Sequence, residues 1–136
     1  MGYRSDIELF TTSEGYAMFL KFNSKLVEEA RPLSIVTNIS TTVEGFYNIF
    51  ISDVKWYEDC FDEVKNFMFY VTELDKAKIP YKFIRFGEEP EDIQVRTTYD
   101  PDGSVDLPAQ IDNIWIERNI IDDYDHTYHS IAIPKL

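Results

Sequence analysis

Along the first hundred residues the spacing of apolar side chains switches twice between a period of two and a period near 3.6. That pattern limits the chain more than any single motif, because strand and helix periods cannot be exchanged. In "GYRSDIELF", Tyr3, Ile7 and Leu9 fall on one face while Arg4, Asp6 and Glu8 fall on the other, which predicts a half-buried strand. Thr12 and Ser13 then offer an N-cap with Glu14 in the first turn, and Phe19, Leu20, Phe22, Leu26 and Val27 recur at helical spacing. Arg31-Pro32 should end this helix, because proline moves its predecessor out of the α region.

"LSIVTNIS" and "GFYNIFISDVKWY" predict two strands joined by a hairpin loop at residues 41–45. Asp59 is the expected cap of a second helix, with Asp62 and Glu63 in its first turn and Lys76-Ala77-Lys78 at its end. Phe61, Val64, Met68 and Val71 form its predicted apolar stripe, widened by Phe67 and Leu74. Pro80 opens a strand over 81–86, and Ile93, Val95, Thr97 and Tyr99 alternate as its return. Asp100-Pro101-Asp102-Gly103 reads as a turn, and "NIWIERNII" as a last strand. The tail around Tyr124, His126, Tyr128 and His129 fits neither period.

The predicted order is β-α-β-β-α-β followed by two further strands. The fold class is therefore α+β: a ferredoxin-like core with both helices on one face of an antiparallel sheet, extended by C-terminal strands. A chain of 136 residues fits one domain, 1–136, with enough apolar surface for a core. The lone Cys60 leaves no disulfide framework and no cysteine-based zinc cluster, which suits a reducing, cytoplasmic setting. Neither a secretory leader nor an apolar run near the ~18 residues of a membrane span is expected.

The net charge is −12, and it is uneven: residues 1–50 carry −2 and residues 51–136 carry −10. Such a field repels nucleic acid and anionic membranes and attracts basic protein surfaces or cations. The abundant rings (Tyr47, Trp56, Tyr57, Phe67, Phe69, Tyr70, Trp115) could stack on bases in a sheet-based RNA binder, but such a module needs basic charge for phosphates. Phe67, Met68, Phe69 and Tyr70 in a row are too many for one helix face. Phe69 and Tyr70 are expected off the core stripe, against a partner or a second copy in a homodimer.

Two acidic clusters are candidate sites. Glu88, Glu89, Glu91 and Asp92 surround Pro90 between two strands. They lack the alternating ligands and sixth-position glycine of an EF-hand, leaving a polar hairpin tip or a partner-facing acidic patch. Asp122, Asp123 and Asp125 with His126 are the second: a solvated acidic tail, a partner-facing patch, or the Asp122/Asp125/His126 metal trio of a divalent-metal-dependent hydrolase. Cys60 stands among Glu58, Asp59 and Asp62, surroundings that oppose a nucleophilic role. No phosphate-binding glycine loop, nucleophile elbow or zinc motif is present. No catalytic residue and no cofactor is expected.

The opening Met1-Gly2-Tyr3-Arg4-Ser5-Asp6, the Lys55-Trp56 pair and the run Phe83-Ile84-Arg85-Phe86-Gly87-Glu88 resemble a group of small acidic phage and prophage proteins that begin "MGYRS". The match covers the first strand and residues 54–93. It implies a phage or mobile-element origin and a non-enzymatic role, binding and blocking a host or anti-phage defence protein. It brings no catalytic residues.

Overall fold

The computed structural model describes residues 4–42, 45–89, 91–98 and 128–136. The elements run β1 (Ser5–Thr11), α1 (Ser13–Ser24), two short 3-10 turns (Glu28–Ala30 and Pro32–Ile35), β2 (Asn38–Thr42), β3 (Tyr47–Val54), α2 (Asp62–Lys76), β4 (Tyr81–Phe86), β5 (Ile93–Thr97) and β6 (Tyr128–Ile131). The strands form one six-stranded sheet in the order β5-β4-β1-β3-β2-β6, antiparallel throughout. The class is mixed α+β. The predicted strand over 113–121 lies outside the described residues. The tail, which no periodicity assigned, supplies β6 by pairing with β2.

β1 holds the centre because it is bonded on both edges: Leu9 faces Ile49 of β3 and Phe83 of β4. These registers place Ile7, Leu9, Ile39, Ile49, Ile51, Tyr81 and Phe83 on one face, and all seven join both helices in a single core. There the helices meet through rings, Phe19 with Tyr70 at 4.9 Å and with Phe67 at 6.1 Å, both edge-on. Edge-to-face contacts suit the ring quadrupole and add to burial. The expected half-buried β1 is corrected here. Glu8 and Phe10 on its other face are also buried, beside Asn48, Lys82 and Ile84. Glu8 Oε1 accepts from Asn48 Nδ2 at 3.4 Å.

Thr12 caps α1 as the sequence predicts, accepting from the Gly15 N–H. The helix stops at Ser24, short of the predicted Ala30, because buried Asn23 turns its side chain to the next segment. Its Nδ2 donates to the Phe19 carbonyl at 2.7 Å, and its Oδ1 accepts from the Leu33 N–H at 2.8 Å. Asparagine competes with the helix ladder in this way. The strand read from Leu33 therefore begins only at Asn38, after a 3-10 turn opened by Pro32, and Val27 is exposed instead of packed.

α2 spans the predicted region, but Phe61 occupies its N-cap without a side-chain hydrogen bond, and Asp59 lies in the preceding turn. Its buried residues are Val64, Phe67, Tyr70, Val71 and Leu74, with Met68 only half-buried. Tyr70 is fully enclosed, contrary to its predicted surface role. Burial pushes its phenol far above the ordinary range, and the hydroxyl donates to the Gly15 carbonyl at 2.6 Å. Farther along α2, Asp75 accepts from Arg96 Nη2 at 2.7 Å and from the Tyr81 hydroxyl at 3.1 Å, which locks the helix end to β4 and β5.

Gly15 sits where α1 leaves β1. A Cβ there would lie 2.0 Å from Thr11 Oγ1, which is buried and donates to the Pro80 carbonyl at 2.9 Å, so it cannot move aside freely. Gly15→Ala should therefore cost about 1–3 kcal/mol, the usual range for overpacking, despite the better helix propensity of alanine. Urea unfolding checks this. An unchanged or raised midpoint would mean that the helix start shifts without penalty.

Candidate functional site: the acidic end of the sheet

An antiparallel sheet delivers residues that are far apart in sequence to one end. The start of β1, the end of β3, the start of α2 and the β4–β5 loop all reach the same end here. They bring Asp6, Asp53, Asp62, Glu63 and the loop carboxylates to that end, with Arg4, Lys55 and Arg85 as bases among them, while Glu58 and Asp59 line a separate recess along α2 with Lys65 and Arg96.

The loop is a hairpin connection, as the alternation on either side predicts. Its backbone closes on itself: Gly87 N–H donates to the Asp92 carbonyl at 2.8 Å, and Asp92 N–H to the Glu89 carbonyl at 3.0 Å. The four acids are not equivalent. Asp92 grips the Arg85 guanidinium with both oxygens, at 2.7 and 3.2 Å. Arg85 is held in turn by Gln94 and Ser5. Such a fork is geometrically specific and stronger than a neutral hydrogen bond. Glu88 Oε2 accepts from the Arg4 N–H at 3.0 Å, which anchors the loop to the start of β1. Glu89 and Glu91 point outward and are exposed. Of the four acids expected at a polar hairpin tip, Glu88, Glu89 and Glu91 are exposed, and Asp92 is half-buried against Arg85.

A β-bulge shapes the neighbouring strand end. The β1–β3 register shifts between Ser5 and Ile7, and Asp53 takes a left-handed backbone with φ of 56°. Aspartate tolerates this region better than most residues, and bulges re-aim the side chains around them. Asp6 Oδ1 accepts from the Asp53 N–H at 2.8 Å, and Arg4 Nη1 donates to the Asp53 carbonyl at 3.0 Å. Arg4 thus ties the loop to the bulge. Arg4, Ser5, Asp6, Asp53, Phe86, Gly87 and Glu88 enclose a shallow recess of about 180 Å³. Beside it, Ile35, Val54, Phe61 and Val64 line a cleft of about 370 Å³ whose rim carries Arg4, Asp53, Lys55 and Glu63.

Of the other predicted contact residues, Phe69 is half exposed and lines a third recess with Met68, Glu58 and Asp59. Tyr70 is unavailable, so the homodimer expected from that pair of rings loses one of them. Asp122, Asp123, Asp125 and His126 lie outside the described residues. Among the described residues, no group of three or more His, Cys, Asp or Glu side chains could hold a metal ion. Cys60 is exposed. No helix of the described residues is long and apolar enough to cross a membrane.

Arg4, Asp6, Asp53 and Phe61 were not singled out as contact residues by sequence. Their juxtaposition depends on strand pairing, and no local spacing signals it. No protein-family model matches the chain, and no curated protein or solved structure matches it significantly. The resemblance to the "MGYRS" phage proteins therefore rests on its short motifs alone.

The unequal roles of the loop acids can be measured. Asp92→Asn should destabilise by about 1 kcal/mol, between the values for exposed pairs and for enclosed charge-assisted bonds. Glu91→Gln should stay within about 0.5 kcal/mol of the parent. Denaturant titration of both variants tests the distinction, and equal effects would contradict it.

Proposed function

We propose that this chain is a non-enzymatic, phage-type binding domain that docks its acidic end onto a basic surface of a host or anti-phage defence protein. There it occupies the place of nucleic acid and blocks the partner. One observation carries the proposal: four separate segments place their carboxylates at one end of a rigid sheet, within a chain of net charge −12. An excess of negative charge of that kind steers basic partners and speeds encounter. Glu89 and Glu91 at the hairpin tip, and Glu58, Asp59 and Asp62 before and at the start of α2, are exposed charges that a partner would meet. Phe69 supplies an apolar contact farther along α2.

We also propose that the first six elements are a ferredoxin-like split βαβ core. The neighbours β4-β1-β3-β2 are antiparallel, and each helix connects strands separated by one other strand, which supports this topology. β5 and β6 then extend the sheet at its two ends. Such a core suits a docking module because it fixes loops at the strand ends.

Immobilised protein should retain a partner from host lysate at low salt and release it as salt rises toward 1 M, because the Debye length falls from about 10 Å at 0.1 M to about 3 Å. Nucleic acid should compete for that partner. Neutralising Glu88, Glu89 and Glu91 together should slow association and leave dissociation little changed. Retention that ignores salt, or a complex holding nucleic acid and this protein together, would refute the mimicry. Millimolar magnesium or manganese should leave the melting temperature unchanged. A clear rise would instead favour a hydrolytic metal site at Asp122, Asp125 and His126, since a bound ion stabilises the folded state.

A further inference from the structure

We infer that the outer edge of β5 is a self-association surface: two copies of the chain join β5 to β5, antiparallel about Val95, so that their two six-stranded sheets become one. This edge is separate from the acidic end and does not depend on the role proposed there. The ladder between β4 and β5 shows which backbone groups it offers. Bonded and non-bonded residue pairs alternate along an antiparallel ladder. Gly87 N–H donates to the Asp92 carbonyl, which makes that opposed pair a bonded one. Continuing the register, Arg85–Gln94 and Phe83–Arg96 are bonded pairs, and Ile93, Val95 and Thr97 turn their backbone groups outward. Ile93 N–H is taken by the Glu91 carbonyl at 3.0 Å. Among the described residues, nothing pairs with the rest of that edge. Open strand edges template further pairing, and folded proteins blunt them with lysine, proline or a bulge. β5 has none of these: its register with β4 is unbroken, and its one charged side chain, Arg96, is turned onto Asp75 at 2.7 Å. Val95 is 43% exposed. The opposite edge strand, β6, has only four residues and is followed by Pro134 and Lys135.

The strand is complementary to itself, which selects a second copy as the occupant. A two-fold axis at Val95 sets Val95 against its own counterpart, Ile93 against Thr97 and Gln94 against Arg96. The β-branched side chains then align on one face, where such cross-strand pairs stabilise a sheet, and no charge meets a like charge. The two Val95 residues exchange both N–H···O bonds. Each Thr97 N–H meets an Ile93 carbonyl, the one outward group of Ile93 that Glu91 leaves over. The net charge of −12 does not oppose this joint locally. The recess bordering β5 on the helix side carries both signs, Glu58 and Asp59 with Lys65 and Arg96, so it does not repel its own copy. The antiparallel arrangement also parts the two acidic hairpin tips. Glu91 stands four residues before Val95, which puts the two copies of Glu91 about 27 Å apart at ~3.4 Å per residue. That distance is well beyond the Debye length of about 8 Å at physiological salt.

Sedimentation of the intact chain should show a mass that rises with concentration toward twice 16.0 kDa. Val95→Lys sets two ammonium groups opposite each other and should hold the mass at that of one chain, with the melting curve in place. Cross-linking in a Cys60→Ser background reads the register without that variant. Val95→Cys should give a disulfide-linked dimer under mild oxidation. Ile93→Cys and Thr97→Cys should each stay unlinked alone and link when mixed. The two Ile93 positions lie about 14 Å apart in this pairing, whereas a disulfide needs Cα atoms within about 7 Å. A chain that stays monomeric at millimolar concentration, or a dimer untouched by Val95→Lys, would overturn the inference. So would Ile93→Cys linking to itself as readily as Val95→Cys does. A monomer whose Val95→Lys variant loses a lysate partner would overturn it too, and would give the edge to a strand of another protein.

Discussion

The two-sided pairing of β1 governs the rest of the molecule. A strand bonded on both edges and buried on both faces cannot slip by one residue without moving every inward side chain to the opposite face. Leu9 between Ile49 and Phe83 fixes that register at the centre. Each crossover helix must then return over the same face, where Phe19, Phe67 and Tyr70 meet. Gly15 is the point at which α1 leaves β1, and its missing side chain lets the helix start against Thr11. The same pairing sends the start of β1 to the end of β3 and to the β4–β5 loop, which forms the acidic end.

Crowding carboxylates in that way raises repulsion, and the fold manages it with directed hydrogen bonds. Asp92 is absorbed by Arg85, Glu88 by the Arg4 backbone, and Asp6 by the Asp53 N–H. These bonds hold the loop and the bulge in place and leave Glu89 and Glu91 outward. A rigid frame with exposed like charges is a better electrostatic guide than a mobile acidic tail, because its field has a fixed direction. The opposite end of α2 is arranged differently. There Arg96, Asp75 and Tyr81 form a closed network, and burial keeps the Tyr81 phenol protonated as a donor.

Where sequence expectations and structure part, a specific tertiary contact intervenes. α1 ends early because Asn23 finds Leu33, a partner ten residues on that no helical pattern announces. Tyr70 is buried because its hydroxyl reaches Gly15 on the other helix, so a ring that looked surplus on α2 is satisfied across the interface. Glu8 is enclosed because the second face of the sheet is buried as well, although alternation along β1 suggested water there. β6 escaped notice because a four-residue edge strand carries too short a pattern to be distinguished from a loop.

The sequence by itself determined the elements whose pattern is local and repeated. These are β1 and β5 by alternation, β4 as an apolar run opened by Pro80, the α1 cap at Thr12, the span of α2, and the hairpin across residues 87–92. It also determined the sign of the charge and its excess in the second part of the chain. Only the tertiary structure decided which acids are structural and which are exposed, that Arg4 joins the loop to the bulge at Asp53, and that Phe61 opens a cleft beside them. The physical reason is range. Periodicity, capping and turn chemistry act over a few residues. The acidic end is made by strand pairings between residues about fifty and eighty positions apart, and no local pattern encodes which side chains those pairings bring together.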